Sequence, residues 1–209
     1  MADVPFTEVA KLPYRMPDQT VRYGSDPSQI ADYWRSETVS PLLVFIHGGW
    51  PGTFDDLRAA MDKAITPEHP DIFLSGHSAG GHLALWMSSQ SPSKLKDTIG
   101  LAAISDLHEY AGGTSGCEQA TVQLMGETPE EVPNRYNAES PILLDPGTET
   151  LMIHGDQDRI VNIEQSKHFI NIHSKTKLRI LKNHGHFDLV DPRQETPNII
   201  VKQIEQWLK

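Results

Sequence analysis

The 209-residue sequence has a single cysteine, Cys117, so no disulfide can form within the chain. Positive charge is scarce too, because 18 lysines and arginines stand against 28 aspartates and glutamates, a net charge of −10. Nucleic acids and anionic membranes bind basic surfaces, so we expect neither as a partner. No apolar run approaches the ~20 residues that span a bilayer. With no leader-like first residues and one cysteine, we expect a cytoplasmic location.

Metal-binding motifs are also missing. Ten histidines are present, but the chain has no H-E-x-x-H motif and no paired cysteines. We therefore expect no catalytic metal and no cofactor. Cys117 follows a Gly-Gly-Thr-Ser-Gly stretch with no strand before it, which argues against a nucleophilic role.

Five short apolar runs, each bounded by proline, glycine or polar residues, predict strands buried on both faces of a parallel sheet. They are Leu42–Ile46, Ile72–Leu74, Ile99–Ile104, Leu151–Ile153 and the more mixed Leu178–Leu181. Helical patterns lie between and after them at Phe54–Ile65, Ser78–Ser89, Ile163–His173 and Pro197–Leu208. This alternation predicts an α/β fold, a mostly parallel sheet flanked by helices, in one domain over residues 1–209.

The strongest chemical signal is Gly76-His77-Ser78-Ala79-Gly80, which follows the second predicted strand and opens a predicted helix. This is the G-x-S-x-G turn that presents a nucleophilic serine between a strand and a helix. A turn this tight excludes bulky neighbours, and the helix N-terminus favours developing negative charge. We therefore predict Ser78 as the nucleophile.

The end of the first predicted strand carries His47-Gly48-Gly49. Glycines at a strand end allow backbone N–H groups to point at a substrate oxygen, and the residue after the nucleophile supplies a second donor. We predict an oxyanion hole formed by Gly48 or Gly49 together with Ala79. The alternative is a turn that only ends the strand.

A candidate acid follows Leu151–Ile153, where Asp156 and Asp158 stand two residues apart. A carboxylate at a strand end can accept the Nδ1–H of a catalytic histidine and so fix its tautomer. We favour Asp158 for this role, and we expect Asp156 to tie the turn to backbone N–H groups.

A candidate base follows Leu178–Leu181, where His186 is favoured and His184 is the alternative. The chain order Ser78, Asp158, His186 is the order found in α/β-hydrolases. Residues 105–148, rich in glycine and proline, are predicted to form a loop and short-helix excursion over the active site, with helical pieces at Glu118–Met125 and Pro129–Tyr136.

Together these motifs resemble the esterase and arylformamidase (kynurenine formamidase-like) branch of the α/β-hydrolase superfamily. The resemblance is carried by His47-Gly48-Gly49 and by residues 23–29, 76–85 and 185–189. The H-G-x-x-D-x-x-V pattern at 154–161 is similar to that of prolyl-oligopeptidase-type hydrolases, where the second aspartate is the acid. The resemblance implies the α/β-hydrolase fold, an acylated Ser78 and an oxyanion hole at the glycine pair.

The chain departs from those relatives between His47 and Ser78, which are only 31 positions apart. In those relatives a further helix and strand usually lie between the two turns. The fold of this chain is therefore predicted to be shorter by about one αβ unit. Strand, helix and neighbouring parallel strand would still form a right-handed crossover. The shortening would leave one sheet edge exposed or re-paired, which motivates the hypothesis of a homodimer through that edge.

The sequence thus predicts a serine carboxylesterase that cleaves small short-acyl esters through an acyl-enzyme on Ser78. Small substrates are expected because the chain has no room for a large cap domain. Three alternatives stay open: an arylformamidase, other amide hydrolase or small peptidase; a catalytically impaired binding protein on the same fold; and, least favoured, a metal hydrolase.

Overall fold

The computed structural model describes residues 4–35, 41–48, 54–64, 69, 71–90 and 94–207. The helices are α1 (Phe6–Val9), α2 (Phe54–Ala64), α3 (Ala79–Ser89), α4 (Leu107–Ala111), α5 (Gly116–Met125), α6 (Pro133–Glu139), α7 (Glu164–Ile172) and α8 (Thr196–Trp207). The strands are β1 (Gln19–Arg22), β2 (Ile30–Tyr33), β3 (Leu42–Ile46), β4 (Ile72–His77), β5 (Leu95–Leu101), β6 (Glu149–Gly155) and β7 (Thr176–Leu181). Short 3₁₀ helices lie at Pro141–Leu143 and Phe187–Leu189.

The central sheet has five parallel strands in the order β3-β4-β5-β6-β7. Helices α2, α3 and α7 each connect neighbouring strands, and the longer connection from β5 to β6 contains α4, α5 and α6. The predicted α/β fold with a mostly parallel sheet flanked by helices is confirmed. Strands β1 and β2 form a separate antiparallel pair that the apolar pattern did not predict.

Apolar side chains cover the central sheet on both faces. On one face Ile72 and Leu74 of β4 pack with α2 and α3, where Trp86 is buried. On the other face, Ile99 of β5 lies in a cluster with Ile199 of α8. Burial of both faces explains why the central strands are continuous in apolar residues rather than alternating.

The prediction of burial on both faces is wrong for the two outer strands of the described sheet, β3 and β7. In β7, Ile180 is 44% exposed. In β3, Leu43 and Phe45 are 42% and 50% exposed. Its other side chains, Leu42, Val44 and Ile46, pack inward against α2 and α3. By contrast, β4 lies between two neighbours and is buried along its whole length.

Some predicted bounds are also corrected. Strand β5 ends at Leu101 rather than Ile104, because Ala102 has a φ of 44° and takes the chain out of the extended conformation. Helix α6 begins at Pro133 rather than Pro129, with proline in the first turn where its missing N–H costs nothing. Among the described residues no helix is long and apolar enough to cross a membrane.

Candidate active site

Ser78 lies at a sharp turn between β4 and α3. Its backbone has φ 58° and ψ −121°, a conformation that costs a non-glycine residue on the order of 1–3 kcal/mol. The surrounding fold holds it there, since Ser78 N–H donates to the Leu101 carbonyl at 2.9 Å and its own carbonyl accepts from His82 N–H at 2.9 Å. This strand–turn–helix geometry presents the serine side chain at the tip of the turn.

Two glycines of the motif are required by close backbone approach. A Cβ atom on Gly76 would overlap the carbonyl of Gly80, and one on Gly80 would overlap the carbonyls of Ile46 and His47. The end of β3, the end of β4 and the start of α3 therefore pack backbone to backbone. The glycines follow from this packing as well as from the tightness of the turn.

The structure describes two of the three predicted oxyanion residues, Gly48 and Ala79. A Cβ atom added to Gly48 would lie 3.6 Å from Ser78 Cβ and 3.3 Å from the His77 carbonyl, so the turn after β3 lies beside the nucleophile turn. Ala79 is the buried first residue of α3, where backbone N–H groups have no intrahelical acceptor. Gly49 lies outside the described residues.

Asp158 and His186 form a short hydrogen bond. His186 Nδ1 donates to Asp158 Oδ2 at 2.7 Å, and the two side chains are 3% and 0% exposed respectively. A carboxylate only accepts, so Nδ1 carries a proton, and Nε2 is the nitrogen that can exchange a proton with a reacting group. The turns that follow β6 and β7 thus bring together a carboxylate and a histidine, the pairing that the sequence predicted for the acid and the base.

The Asp158 carboxylate is also anchored by its own turn. Its Oδ1 accepts from the N–H groups of Ile160 and Val161 at 2.8 and 2.9 Å, and His154 Nε2 lies 3.3 Å from Oδ2. Burial alone would raise the pKa of Asp158, but the hydrogen bonds from His154 and His186 outweigh it and hold that pKa well below its usual range. The carboxylate is therefore ionised at neutral pH.

The alternative residues lie elsewhere in the same two turns. Asp156 is exposed and its Oδ1 accepts from Asn183 N–H at 2.7 Å, which ties the β6 turn to the β7 turn. His184 is exposed, and its Nδ1 hydrogen-bonds the Lys182 carbonyl at 2.8 Å. The structure thus brings Asp158 and His186 together and gives Asp156 the backbone contact expected of it.

Sequence reasoning missed His77 as part of this site. Its Nε2 donates to the His186 backbone carbonyl at 3.0 Å, and the two rings lie 4.4 Å apart between centroids. Burial first, and then the nearby His186, lower the pKa of His77 to about 3, so the ring is a neutral donor at neutral pH. Its place as the variable residue of G-x-S-x-G carried no signal for this contact.

The segment 105–148 packs against residues close in the chain to Ser78 and Asp158. Leu107, Tyr110, Met125 and Tyr136 share a buried cluster with Ala79, the residue after Ser78, and Val161, which follows Asp158. The Tyr110 hydroxyl donates to the Ile160 carbonyl at 3.4 Å. The three short helices of this segment therefore lie beside both the nucleophile turn and the acid turn.

Solved structures with the same fold include a truncated carbohydrate esterase from gut microbiota, with a TM-score of 0.69 and 17% identity over 93% of this chain and 98% of that one. An α/β hydrolase from a lagoon-sediment metagenome matches at TM-score 0.57 and 14% identity, over 79% and 91% of the two chains. The acylaminoacyl peptidase of Pyrococcus horikoshii matches at TM-score 0.67 and 17% identity. That match covers 83% of this chain, which spans only 38% of the peptidase.

No curated protein matches the sequence. Residues 51–209 match the model of the prolyl oligopeptidase family. This match supports a serine hydrolase in general terms, and the similar structures support the α/β-hydrolase fold. Because the matched residues make up most of the chain, the protein belongs to the prolyl oligopeptidase family.

Proposed function

We propose that the protein is a serine hydrolase that transfers the acyl group of small carboxylic esters to Ser78 and then to water. The observation that carries the proposal is the 2.7 Å hydrogen bond from His186 Nδ1 to Asp158 Oδ2. This bond orients the His186 ring, which lies 4.4 Å from the ring of His77, the residue before Ser78. Ser78 itself is held in the strained conformation of a nucleophile turn. Family membership is consistent with this chemistry.

In the proposed mechanism His186 Nε2 takes the Ser78 hydroxyl proton while Oγ attacks the substrate carbonyl carbon. The negative charge that develops on the carbonyl oxygen is stabilised by N–H groups of Gly48 or Gly49 and Ala79. His186 then gives its proton to the leaving alkoxide, and the acyl-enzyme forms. Water, activated by His186, attacks the acyl carbon and restores Ser78. Asp158 stays ionised throughout and stabilises the imidazolium.

The test compares the wild type with Ser78→Ala in p-nitrophenyl acetate hydrolysis. We expect hydrolysis in the wild type and its loss in the variant, because the other groups cannot form the acyl-enzyme. Thr121→Ala provides a control at another buried hydroxyl, which lies on α5 and outside the triad. Equal activity of the wild type and Ser78→Ala would refute the serine mechanism.

An amide bond is the second candidate substrate, and the family match favours it. The structural match to an acylaminoacyl peptidase concerns 38% of that chain, so its whole-protein specificity does not carry over. A panel of acetyl esters, an N-formyl arylamine and aminoacyl and acylaminoacyl p-nitroanilides separates the two classes. A kcat/KM that is higher for the amides would replace the ester proposal with an amidase.

A binding protein with an inactive triad is the remaining proposal from another class. It would require that Ser78 fail to react with a fluorophosphonate probe although the protein is folded. Labelling of the wild type and not of Ser78→Ala would remove this alternative, because only an activated serine reacts.

We further propose the arylformamidase-like branch and a shortening between His47 and Ser78 as the origin of this compact form. The parallel pairing of β3 with β4 supports the shortening, because α2 is the one helix among the described residues between the two glycine-rich turns. The exposed Phe45 on terminal strand β3 supports self-association of two copies at that edge. The single cysteine supports a reducing, cytoplasmic location.

A further inference from the structure

His154, at the end of β6, is a buried histidine that the proposed mechanism does not use. Its side chain is fully buried, and its Nε2 lies 3.0 Å from the Val161 carbonyl and 3.3 Å from Asp158 Oδ2. Both of those oxygens only accept hydrogen bonds, so Nε2 must carry a proton. Nδ1 lies 2.7 Å from the Ser166 hydroxyl, which donates to it when the ring is neutral.

We infer that His154 is a positioning residue for the catalytic carboxylate, holding the turn from Asp158 to Val161 in the geometry that orients His186. The inference deepens the proposed function and rests on it. His154 acts at two points, because the same Nε2–H faces the carboxylate and the carbonyl that closes its turn. Ser166, from α7, sets the ring orientation and the tautomer.

The Asp158 carboxylate is surrounded by four donors, and His154 Nε2–H is one of them. Asp158 Oδ1 accepts two backbone N–H groups, and Oδ2 faces the imidazole nitrogens of His186 and His154. An ionised carboxylate has about four lone-pair directions, so the four donors fill them. A carboxylate held this way cannot rotate, and its charge is shared between His186 and His154.

The chain pattern agrees with this arrangement. In H-G-x-x-D-x-x-V, the histidine is His154, and a Cβ atom on Gly155 would overlap the His184 carbonyl. Asp158 provides the carboxylate, while Val161 buries its side chain and offers its carbonyl to His154. Each fixed position of the pattern therefore has a contact in the acid turn.

The test uses His154→Phe, which keeps an aromatic ring and removes both nitrogens, and His154→Gln, whose amide N–H can replace the Nε2–H. His173→Phe is the matched control, because His173 also bonds a carbonyl through Nε2, that of Ile142 at 3.1 Å, but lies outside the site. We expect His154→Phe to lower kcat about tenfold with KM within about twofold, as for other partners that orient a catalytic group. His154→Gln should recover most of that loss, and Ser166→Ala should show a smaller loss.

The pH profile of kcat/KM gives a readout that a purely structural role would not move. With one donor fewer, more negative charge stays on Asp158, and the acidic limb should move to higher pH. Three other titratable residues lie near Asp158 and His186, namely His77, Tyr110 and Asp188. The pKa of His77 is lowered to about 3 and that of Tyr110 is raised, both by burial first, so neither titrates on this limb. The Asp188 carboxylate accepts from Gly185 N–H and is untouched by the substitution.

Proton NMR makes the test independent of turnover. The Nδ1 proton of His186 in its 2.7 Å bond to Asp158 should give a low-field resonance, displaced in His154→Phe and close to its wild-type position in His173→Phe. An unchanged resonance together with a kcat within twofold of the wild type would overturn the inference. If Ser78→Ala is as active as the wild type, the proposed function fails instead, and the resonance still decides the role of His154. If His154→Phe does not fold, Ser166→Ala carries the test, because it removes the partner of His154 Nδ1. A loss in kcat of more than twofold with a displaced resonance supports the inference, and unchanged values of both overturn it.

Discussion

Replacing Asp158, the proposed acid, by asparagine removes its charge while preserving its size. The carboxylate accepts two backbone N–H groups at Oδ1 and faces protonated imidazole nitrogens at Oδ2. In either orientation of the new amide, its NH₂ group meets groups that are themselves donors. The His186 ring must then change tautomer or lose this partner, and Nε2 no longer accepts the Ser78 proton.

The magnitude follows from that conflict. A wrong tautomer of the base in a triad lowers kcat about 10⁴-fold, equivalent to about 5.5 kcal/mol of transition-state stabilisation. The free energy of unfolding should fall by only about 1–3 kcal/mol, the cost of an unsatisfied buried polar group. Catalysis should therefore be lost in a protein that still folds.

The assay is p-nitrophenyl acetate hydrolysis beside urea unfolding at the same pH. Asp156→Asn is the matched control, because Asp156 lies in the same turn and accepts a single backbone N–H from the β7 turn. We expect this control to keep most of its activity. Retention of more than a tenth of the activity in Asp158→Asn, or an equal loss in Asp156→Asn, would refute the assignment of Asp158 as the acid.

Three further outcomes follow from the structure. Gly80→Ala should lower the free energy of unfolding, measured by urea denaturation, by more than about 2 kcal/mol, because its Cβ would overlap two carbonyls at the end of β3. The control Gly116→Ala should leave the free energy of unfolding nearly unchanged, because a Cβ there meets open space. The pKa of His77 is lowered from 6.5 to about 3, so between pH 6.5 and 3 the unfolded state binds more protons than the folded state. The free energy of unfolding should therefore fall as the pH drops through that window, and a His77→Phe variant with the same pH dependence of stability as the wild type would contradict this. If two copies associate through β3, light scattering should show a dimer that Phe45→Ser makes monomeric, and a monomeric wild type at all concentrations would remove the proposal.

Apolar runs predicted the central sheet because side chains of its inner strands are buried on both faces, and the inward-facing side chains of β3 pack against helices. Strand β3 was predicted with the bounds that it has, since polar residues and proline enclose its apolar run. The predicted bounds of β5 lay too far along the chain. The strand begins at Leu95 and includes the polar residues that follow it, and it ends before the apolar Ala102–Ile104. Those three residues are buried although they lie outside the strand, and composition alone does not separate their burial from that of strand residues.

The exposed strands β1 and β2 were not predicted, because the prediction relied on buried apolar runs. Strands β1 and β2 are mostly exposed or half-buried, so they lack an apolar run, and their pairing depends on a turn rather than on a core. Helix α4 was not predicted for a different reason. Three of its five residues are buried, but five residues are too few to show a helical period. Its N-terminal Asp106, whose side chain accepts from the N–H groups of His108 and Glu109, was the available signal.

The site shows which kinds of function leave a trace in a sequence. Close backbone approach does, because Gly76 and Gly80 admit no Cβ and so restrict the residue type. Contacts made to backbone carbonyls do not, since any residue supplies a carbonyl. His77 bonds the carbonyl of His186, and His154 bonds that of Val161, so neither partner could be identified by its side chain. A pattern search therefore finds His154 as a fixed position but not the carbonyl that it bonds, and it gives no reason to single out His77.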